Sequence, residues 1–302
     1  MNVITDTSTR QKTEGTAYIP EAWETVPCPF CGDSKPRRYE RYGDKWQYTH
    51  VKCKTCGLIY QNPRPKYDPS FVHDAYEYYA EGILKNVDNP QNFLEQEALK
   101  AQNDDFLTEI LQYDRRCSAI LDVGCCMGIF LHQAMKYYPS ALGVDVSSQM
   151  ADFVEKNTGV KVLRDKYENI RFDRQFSCIN MSHVIEHIPN PKEWLEQSGK
   201  ILSEDGILVI SVPNMLSLSR RFRLFLKYLR LRRGKWDSSR TPDHLFEPTV
   251  PSMLRFLNEN GFEVVHFKTY SRKKMTDNSR FGTWFHQKRY WGSNLRFYLK
   301  KK

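Results

Sequence analysis

The chain has 302 residues, long enough for one α/β domain with a smaller module beside it. A hydrophobic content of 40% and a mean hydropathy of −0.64, with no apolar run of the roughly 18–20 residues a spanning helix needs, exclude a bundle of membrane-spanning helices. The formal net charge of +9 is concentrated at the C-terminal end: from Leu216 onward there are 21 Lys/Arg against 6 Asp/Glu, and the remainder is net acidic. That asymmetry points to an anionic surface or substrate near the C-terminal part.

In chain order, "MNVITDTSTRQKTEG" is polar and lacks the basic-then-apolar layout of a signal peptide, so residues 1–26 read as a disordered tail of a cytoplasmic protein. Of the eight cysteines, Cys28, Cys31, Cys53 and Cys56 form two C-x-x-C pairs, each followed by a glycine, Gly32 or Gly57. Two such knuckles converge four thiolates on one ion, a closed donor set that suits structural Zn²⁺. The aromatic and polar alternation of "YERYGDKWQYTH" between them reads as a hairpin. Residues 27–62 are therefore expected to be a zinc ribbon, a module separate from the rest of the chain. Two redox pairs are the weaker reading, because no βαβ context flanks either one. The other cysteines lie in apolar strand or turn stretches, which favours a reducing compartment over a disulfide framework.

The stretch "CGLIYQNPRPKYDPS" marks a linker, and a helix is expected from Asn92 to Tyr113, making residues 63–115 a helical linker or lid. Tyr76, Tyr78 and Tyr79 either reach the ligand site built by the next segment or pack the lid. "AILDVGCCMGIFLHQAM" then reads as a buried strand, a glycine turn and a helix. Gly124 and Gly128 let the backbone come close to a ligand, although G-x-x-x-G does not fit the dinucleotide fingerprint. "ALGVDVSSQM" gives a second strand ending at Asp145, an acid placed to hold a ribose diol, with Ser147-Ser148 as the next helix's N-cap signal. Strand-like "VKVL", "FSCINM" and "ILVISV" alternate with helix-like segments, the pattern of a doubly wound parallel α/β sheet.

The fourth strand leads into "NMSHVIEHIPNPKEW". At this point the chain resembles the class I S-adenosylmethionine-dependent methyltransferases, through Asp122-x-Gly124-x-x-x-Gly128, Asp145 and "HVIEHIPNP". With its leading ribbon and "DHLFEPTVPSMLRFLNENGFEVVHF", it is similar to the methyltransferases found among sugar-modifying and cell-surface polysaccharide enzymes. The resemblance runs from about Cys28 to about Phe267. It implies a Rossmann-like seven-stranded sheet over residues 116–302. It also implies S-adenosylmethionine bound by Asp122, Gly124, Cys126, Gly128 and Asp145, with His183 at the methionine end. Two departures stand out: Cys126 replaces the usual small residue, and Phe176-Ser177 replaces a frequent Phe-Asp. The first implies a tighter pocket, with a reactive vicinal thiol pair as the sharper alternative.

A hydroxyl acceptor must lose a proton, and histidine is the usual base at neutral pH. The resemblance places Glu186 and His187 near the reacting atom, with His244 in the acceptor pocket. The structural alternatives are that His187 packs the turn before Pro189 and that His244 is a core residue. The insert at residues 216–240 carries eight basic residues and no acid between Leu216 and Lys235. Leu218, Phe222, Phe225, Leu226 and Leu229 share one helical face, with Arg223, Lys227 and Arg230 opposite. Such a helix fits an anionic membrane face, a solvated lid or nucleic acid. Asn180-Met181-Ser182-His183 lacks the Asn-Pro-Pro-Tyr-like stretch of base-methylating enzymes, which argues against nucleic acid. The expected function is methylation of a sugar or glycan, lipid-linked acceptors included. O-methylation of a lipophilic quinone precursor is the alternative, with RNA methylation behind it.

Overall fold

A computed structural model describes residues 22–42, 48–66, 77, 80–87, 89–90, 94, 97–229, 244–270 and 291–302. The main sheet uses seven strands: β6 (Ile120–Val123), β7 (Ala141–Val144), β8 (Val162–Leu163), β9 (Phe176–Ser182), β10 (Leu202–Pro213), β12 (Phe262–Tyr270) and β13 (Asn294–Lys301), in the order β12-β13-β10-β9-β6-β7-β8. The five strands from β8 to β10 run parallel, and β13 joins antiparallel to β10 and β12. This is the doubly wound sheet expected from the sequence.

The central strands are apolar on successive residues because both faces are covered. Ile120, Cys178, Ile207 and Val209 meet Phe106, Leu107 and Ile110 of helix α1 (Glu97–Leu111). Leu121, Ile179, Leu208 and Ile210 belong to the opposite core, with Trp194 and Leu195 of α4 (Pro191–Ile201) and Phe256 of α6 (Val250–Glu259). The crossover helices α2 (Ile129–Ala134) and α3 (Ser148–Thr158) come after β6 and β7. The Ser147 side chain accepts from the Met150 amide at the start of α3, as its N-cap signal predicts. Strand β6 lies between β7 and β9, so chain direction across the sheet reverses there, and a ligand crevice belongs at the carboxyl ends of these strands.

A second sheet contains β2 (Arg37–Tyr42), β3 (Tyr48–Lys52), β4 (Ile59–Gln61) and, at its edge, β11 (Phe246–Glu247). The expectation of a separate ribbon is therefore corrected: its sheet takes a strand from the C-terminal part of the chain, with Phe246 opposite Tyr60. A unit this short cannot bury a core of its own. Instead Phe30 stacks on Phe256 of α6 at 3.9 Å and meets the edge of Phe246 at 5.1 Å. Of the expected tail, residues 1–21 lie outside the described residues, and the remainder is built into the fold. Trp23–Glu24 (β1) pairs with Arg64–Pro65 (β5), and Glu24 holds Arg64 at 2.7 Å. The basic insert forms α5 (Leu218–Tyr228), and among the described residues no helix is long and apolar enough to cross a membrane.

Candidate active site and metal centre

The four knuckle cysteines come together as the sequence predicts. Cys28 and Cys56 Sγ stand 3.5 Å apart, as do Cys31 and Cys53, and all four thiols lie within 4.8 Å of one another. Gly32 and Gly57 take φ of +73° and +77°, the left-handed turn that folds each knuckle back. Tetrahedral Zn–S bonds of about 2.3 Å would space sulfurs about 3.8 Å apart, so this donor set fits zinc with little adjustment.

The glycine loop between β6 and α2 is shaped by two close approaches. A Cβ on Gly124 would fall 2.5 Å from Val184 Cγ2, and one on Gly128 would fall 2.8 Å from Val154, both at positive φ. Asp145 comes directly after β7. Its two oxygens accept from the Ser147 and Cys126 amides at 2.9 and 2.8 Å, and each oxygen keeps a lone pair for a diol. Burial raises the Asp145 carboxyl, countered by these backbone hydrogen bonds. Asp122 is more deeply buried: desolvation lifts it to about 7, although Asn180 Nδ2 donates to it at 2.7 Å. These carboxylates and the side-chain-free loop edge suit S-adenosylmethionine, with its ribose hydroxyls and ammonium group. Burial pushes the Cys125 thiol well above its ordinary value, which disfavours its thiolate, whereas its neighbour Cys126 is exposed.

At the end of β9 the chain turns sharply. His183 sits at φ +58°, its amide donating to Ser211 O at 2.8 Å, and the next residues form a one-turn 3-10 helix, Ile185–His187. Strain of this kind is retained where surrounding structure enforces it, commonly at ligand sites. His183 Nδ1 faces Glu186 Oε1 at 3.4 Å, and its Nε2 faces the Tyr270 hydroxyl at 3.3 Å. Glu186 is completely buried, and among the described residues neither of its carboxylate oxygens has a hydrogen-bond partner within the usual geometry. Burial pulls its pKa up, but His183, His187 and His244 together hold it below the ordinary carboxylate range. The His187 and His244 rings meet edge to face at 4.7 Å, and His244 Nδ1 stands 3.3 Å from Glu247 Oε1. Thus Glu186 and His187 form one cluster with His244, distant in sequence. The Glu186 carboxylate also faces His183, three residues earlier.

Three contributors carry little sequence signal. Glu77 accepts from the Ser147 hydroxyl at 3.0 Å, so the segment preceding α1 reaches the cofactor crevice beside Asp145. Ala80, Ile83 and Leu84 pack nearby on Met127 and Met150. Tyr76, Tyr78 and Tyr79 lie outside the described residues. The acid absent at position 177 is supplied by Asp114, whose carboxylate receives Ser177 Oγ at 2.8 Å and Tyr138 OH at 2.9 Å. Arg220, one of the insert's eight basic residues, points inward and holds Glu40 at 2.7 Å.

The doubly wound sheet, the glycine loop and the two acids at its mouth define a class I methyltransferase. Residues 93–267 match the family model described as a methyltransferase domain, and the chain belongs to that family of S-adenosylmethionine-dependent methyltransferases. An uncharacterized protein of Methanocaldococcus jannaschii is 32% identical over 30% of this chain and 43% of its own length. The ubiquinone biosynthesis O-methyltransferase of Pelagibacter ubique is 22% identical over 47% of this chain and 63% of its own length. The chain thus spans about half the length of the curated relatives it matches. Among solved structures, the magnesium protoporphyrin IX methyltransferase of Synechocystis PCC 6803 shares the fold, with a TM-score of 0.53, 12% identity, and coverage of 78% of this chain and all of that one.

Proposed function

We propose that this enzyme methylates a sugar or glycan hydroxyl, with Asp122, Asp145 and the Gly124–Gly128 loop holding S-adenosylmethionine and a structural Zn²⁺ on the four knuckle cysteines. The observation that carries the acceptor assignment is the character of the cluster beyond β9. Glu186, His183, His187, His244 and Glu247 line it with charged and imidazole groups, suited to a hydroxyl-rich ring and poorly suited to an apolar one. When bound, S-adenosylmethionine supplies an electrophilic methyl carbon, which bonds to the acceptor oxygen as its bond to sulfur breaks. His187 or His244 receives the hydroxyl proton, and Glu186 and Glu247 hold the imidazoles in place and balance the charge that forms. Fixing the acceptor in line is the larger part of the rate enhancement.

A second reading, methylation of a lipophilic quinone precursor, draws on the names of the ubiquinone relatives and on the outer face of α5. There Leu218, Phe222, Phe225 and Leu229 are all exposed, one stripe at helical spacing on a basic helix. Within the sugar reading the same stripe provides peripheral attachment to an anionic membrane at its cytoplasmic face, which suits a lipid-linked glycan. Incubation with methyl-labelled cofactor and, separately, UDP-, GDP- and dTDP-hexoses, a bacterial lipid extract, catechol-type quinone precursors and total RNA tests the proposal. Label in a hexose or glycolipid supports it, label confined to the quinone precursor transfers support to the second reading, and label in RNA alone overturns both.

A further inference from the structure

The ribbon's second face points away from the cysteines, and it is polar. The pairing register places Glu40 opposite His50 and His50 opposite Gln61, so these three side chains form a row across one face of the small sheet. Glu247 pairs with Ile59, two residues from Gln61, and therefore projects from the same face. Tyr60, Val51 and Phe246 alternate to the other face, with Cys28, Cys53 and Cys56. The polar row is buried: His50 is 1% and Gln61 0% exposed. Its far end is bound by Arg220, which holds Glu40. Its near end is stitched to the catalytic cluster through Leu245, whose amide donates to Glu186 O and whose carbonyl accepts from the Gln61 amide, both at 2.9 Å.

Gln61 is the informative member. Both its side-chain oxygen and its nitrogen are buried without a hydrogen-bond partner among the described residues. A buried amide left unpaired costs about 1–3 kcal/mol, and proteins seldom retain one that nothing satisfies. This unpaired amide lies on a strand joined through the Leu245 backbone to Glu186, which clusters with His187 and His244, and it is suited to a molecule that donates and accepts at once. We infer that the ribbon sheet is the recognition wall of the acceptor site and that the Gln61 amide binds a hydroxyl of the acceptor's sugar ring. The inference rests on the proposed sugar specificity. The carboxylates of Glu40 and Glu247 on this face disfavour an anionic group, so the wall selects an uncharged polyhydroxyl ring and any phosphate of the acceptor lies away from it.

Gln61→Met keeps the side-chain volume and removes both unpaired atoms, so it separates binding from structure. In the ligand-free protein the variant is expected to melt at or above the wild-type temperature and to keep its zinc and its affinity for S-adenosylhomocysteine. With the hexose nucleotide that the wild-type enzyme methylates, KM should rise at least tenfold while kcat stays within about threefold. In the wild-type enzyme, that same hexose nucleotide should slow amide exchange in residues 48–52 and 59–61. A Tm several degrees lower would show that the amide has structural partners and would overturn the inference. So would an unchanged KM, or exchange unaffected by the sugar. If the wild-type enzyme methylates no hexose in the panel, the sugar reading fails first, and the inference falls with it.

Discussion

Replacing Asp122 with Asn should stabilise the ligand-free protein more at pH 8 than at pH 5. Asp122 is 4% exposed on β6. Desolvation lifts its carboxyl to about 7, the hydrogen bond from Asn180 opposing and the nearby Asp145 charge adding to the rise. In the unfolded chain an aspartate titrates near about 3.9. The folded pKa is raised, so the folded state holds this proton more tightly. Its contribution to stability is complete below about pH 4 and is lost as the pH climbs through about 7. A gap of about three units at 1.36 kcal/mol each sets a ceiling of about 4 kcal/mol on the loss at pH 8. Asparagine stays neutral throughout, keeps the shape and can still accept from Asn180. Urea unfolding of both proteins at the two pH values, with m unchanged, should show a difference between the two ΔΔG values of about 1–2.5 kcal/mol, the variant gaining more at pH 8. Equal ΔΔG values at pH 5 and pH 8, or a less stable variant at pH 8, would refute the claim that burial keeps this carboxyl protonated.

Asp145→Ala should weaken S-adenosylhomocysteine binding by about 1.5–3 kcal/mol in calorimetry, because a carboxylate that hydrogen-bonds the ribose is removed. An unchanged Kd would release Asp145 from that role. Gly124→Ala should lower Tm and cofactor affinity together, since the new Cβ lies 2.5 Å from Val184 at a φ of +73°; Val184→Ala in the same chain should recover part of the loss. Metal analysis should find one zinc per chain, and Cys53→Ser should cut methyl transfer far more than S-adenosylhomocysteine binding, because the ribbon sheet shares β11 with the acceptor cluster. The intact protein should sediment with anionic vesicles, not neutral ones, and release in high salt. Phe222, Phe225 and Leu229 changed together to Ser should abolish that binding, and equal binding by the triple variant would reject an apolar anchor.

The parts legible in the sequence are those governed by local chemistry. The knuckle spacing, the glycine loop, Asp145 at a strand end and the Ser147 cap each arise from a few consecutive residues, and each lies where its pattern places it. The illegible parts depend on contacts between distant segments. Phe246–Glu247 is too short to read as a strand, and its role comes from pairing with Ile59 and Tyr60 almost two hundred residues earlier. Arg220 belongs to a run of basic residues, yet Glu40 draws it inward. The carboxylate position lost at Ser177 reads as a missing group, but Asp114 fills it from a different loop. Glu186 and His187 are legible as a pair, but the Glu186 carboxylate also faces His183, brought there by the turn at the end of β9.

The shared sheet also explains why a metal module would stand beside a methyltransferase crevice. A small antiparallel sheet ordinarily gains its stability by burying an apolar face and wetting the other. Here one face packs with the cysteines and α6, and the other carries Glu40, His50, Gln61 and Glu247 out of water, a costly arrangement for a segment this short. A structural zinc contributes on the order of 10–16 kcal/mol of binding free energy that becomes folding free energy. Unpaired polar groups cost about 1–3 kcal/mol each. A zinc-held ribbon can therefore carry a buried polar face that its hydrophobic core alone could not support. On the proposed reading, the metal and the recognition surface are two sides of one sheet. Chelation should raise the acceptor KM before it releases the cofactor, and simultaneous loss of both would mean that the zinc stabilises the whole fold and not this wall.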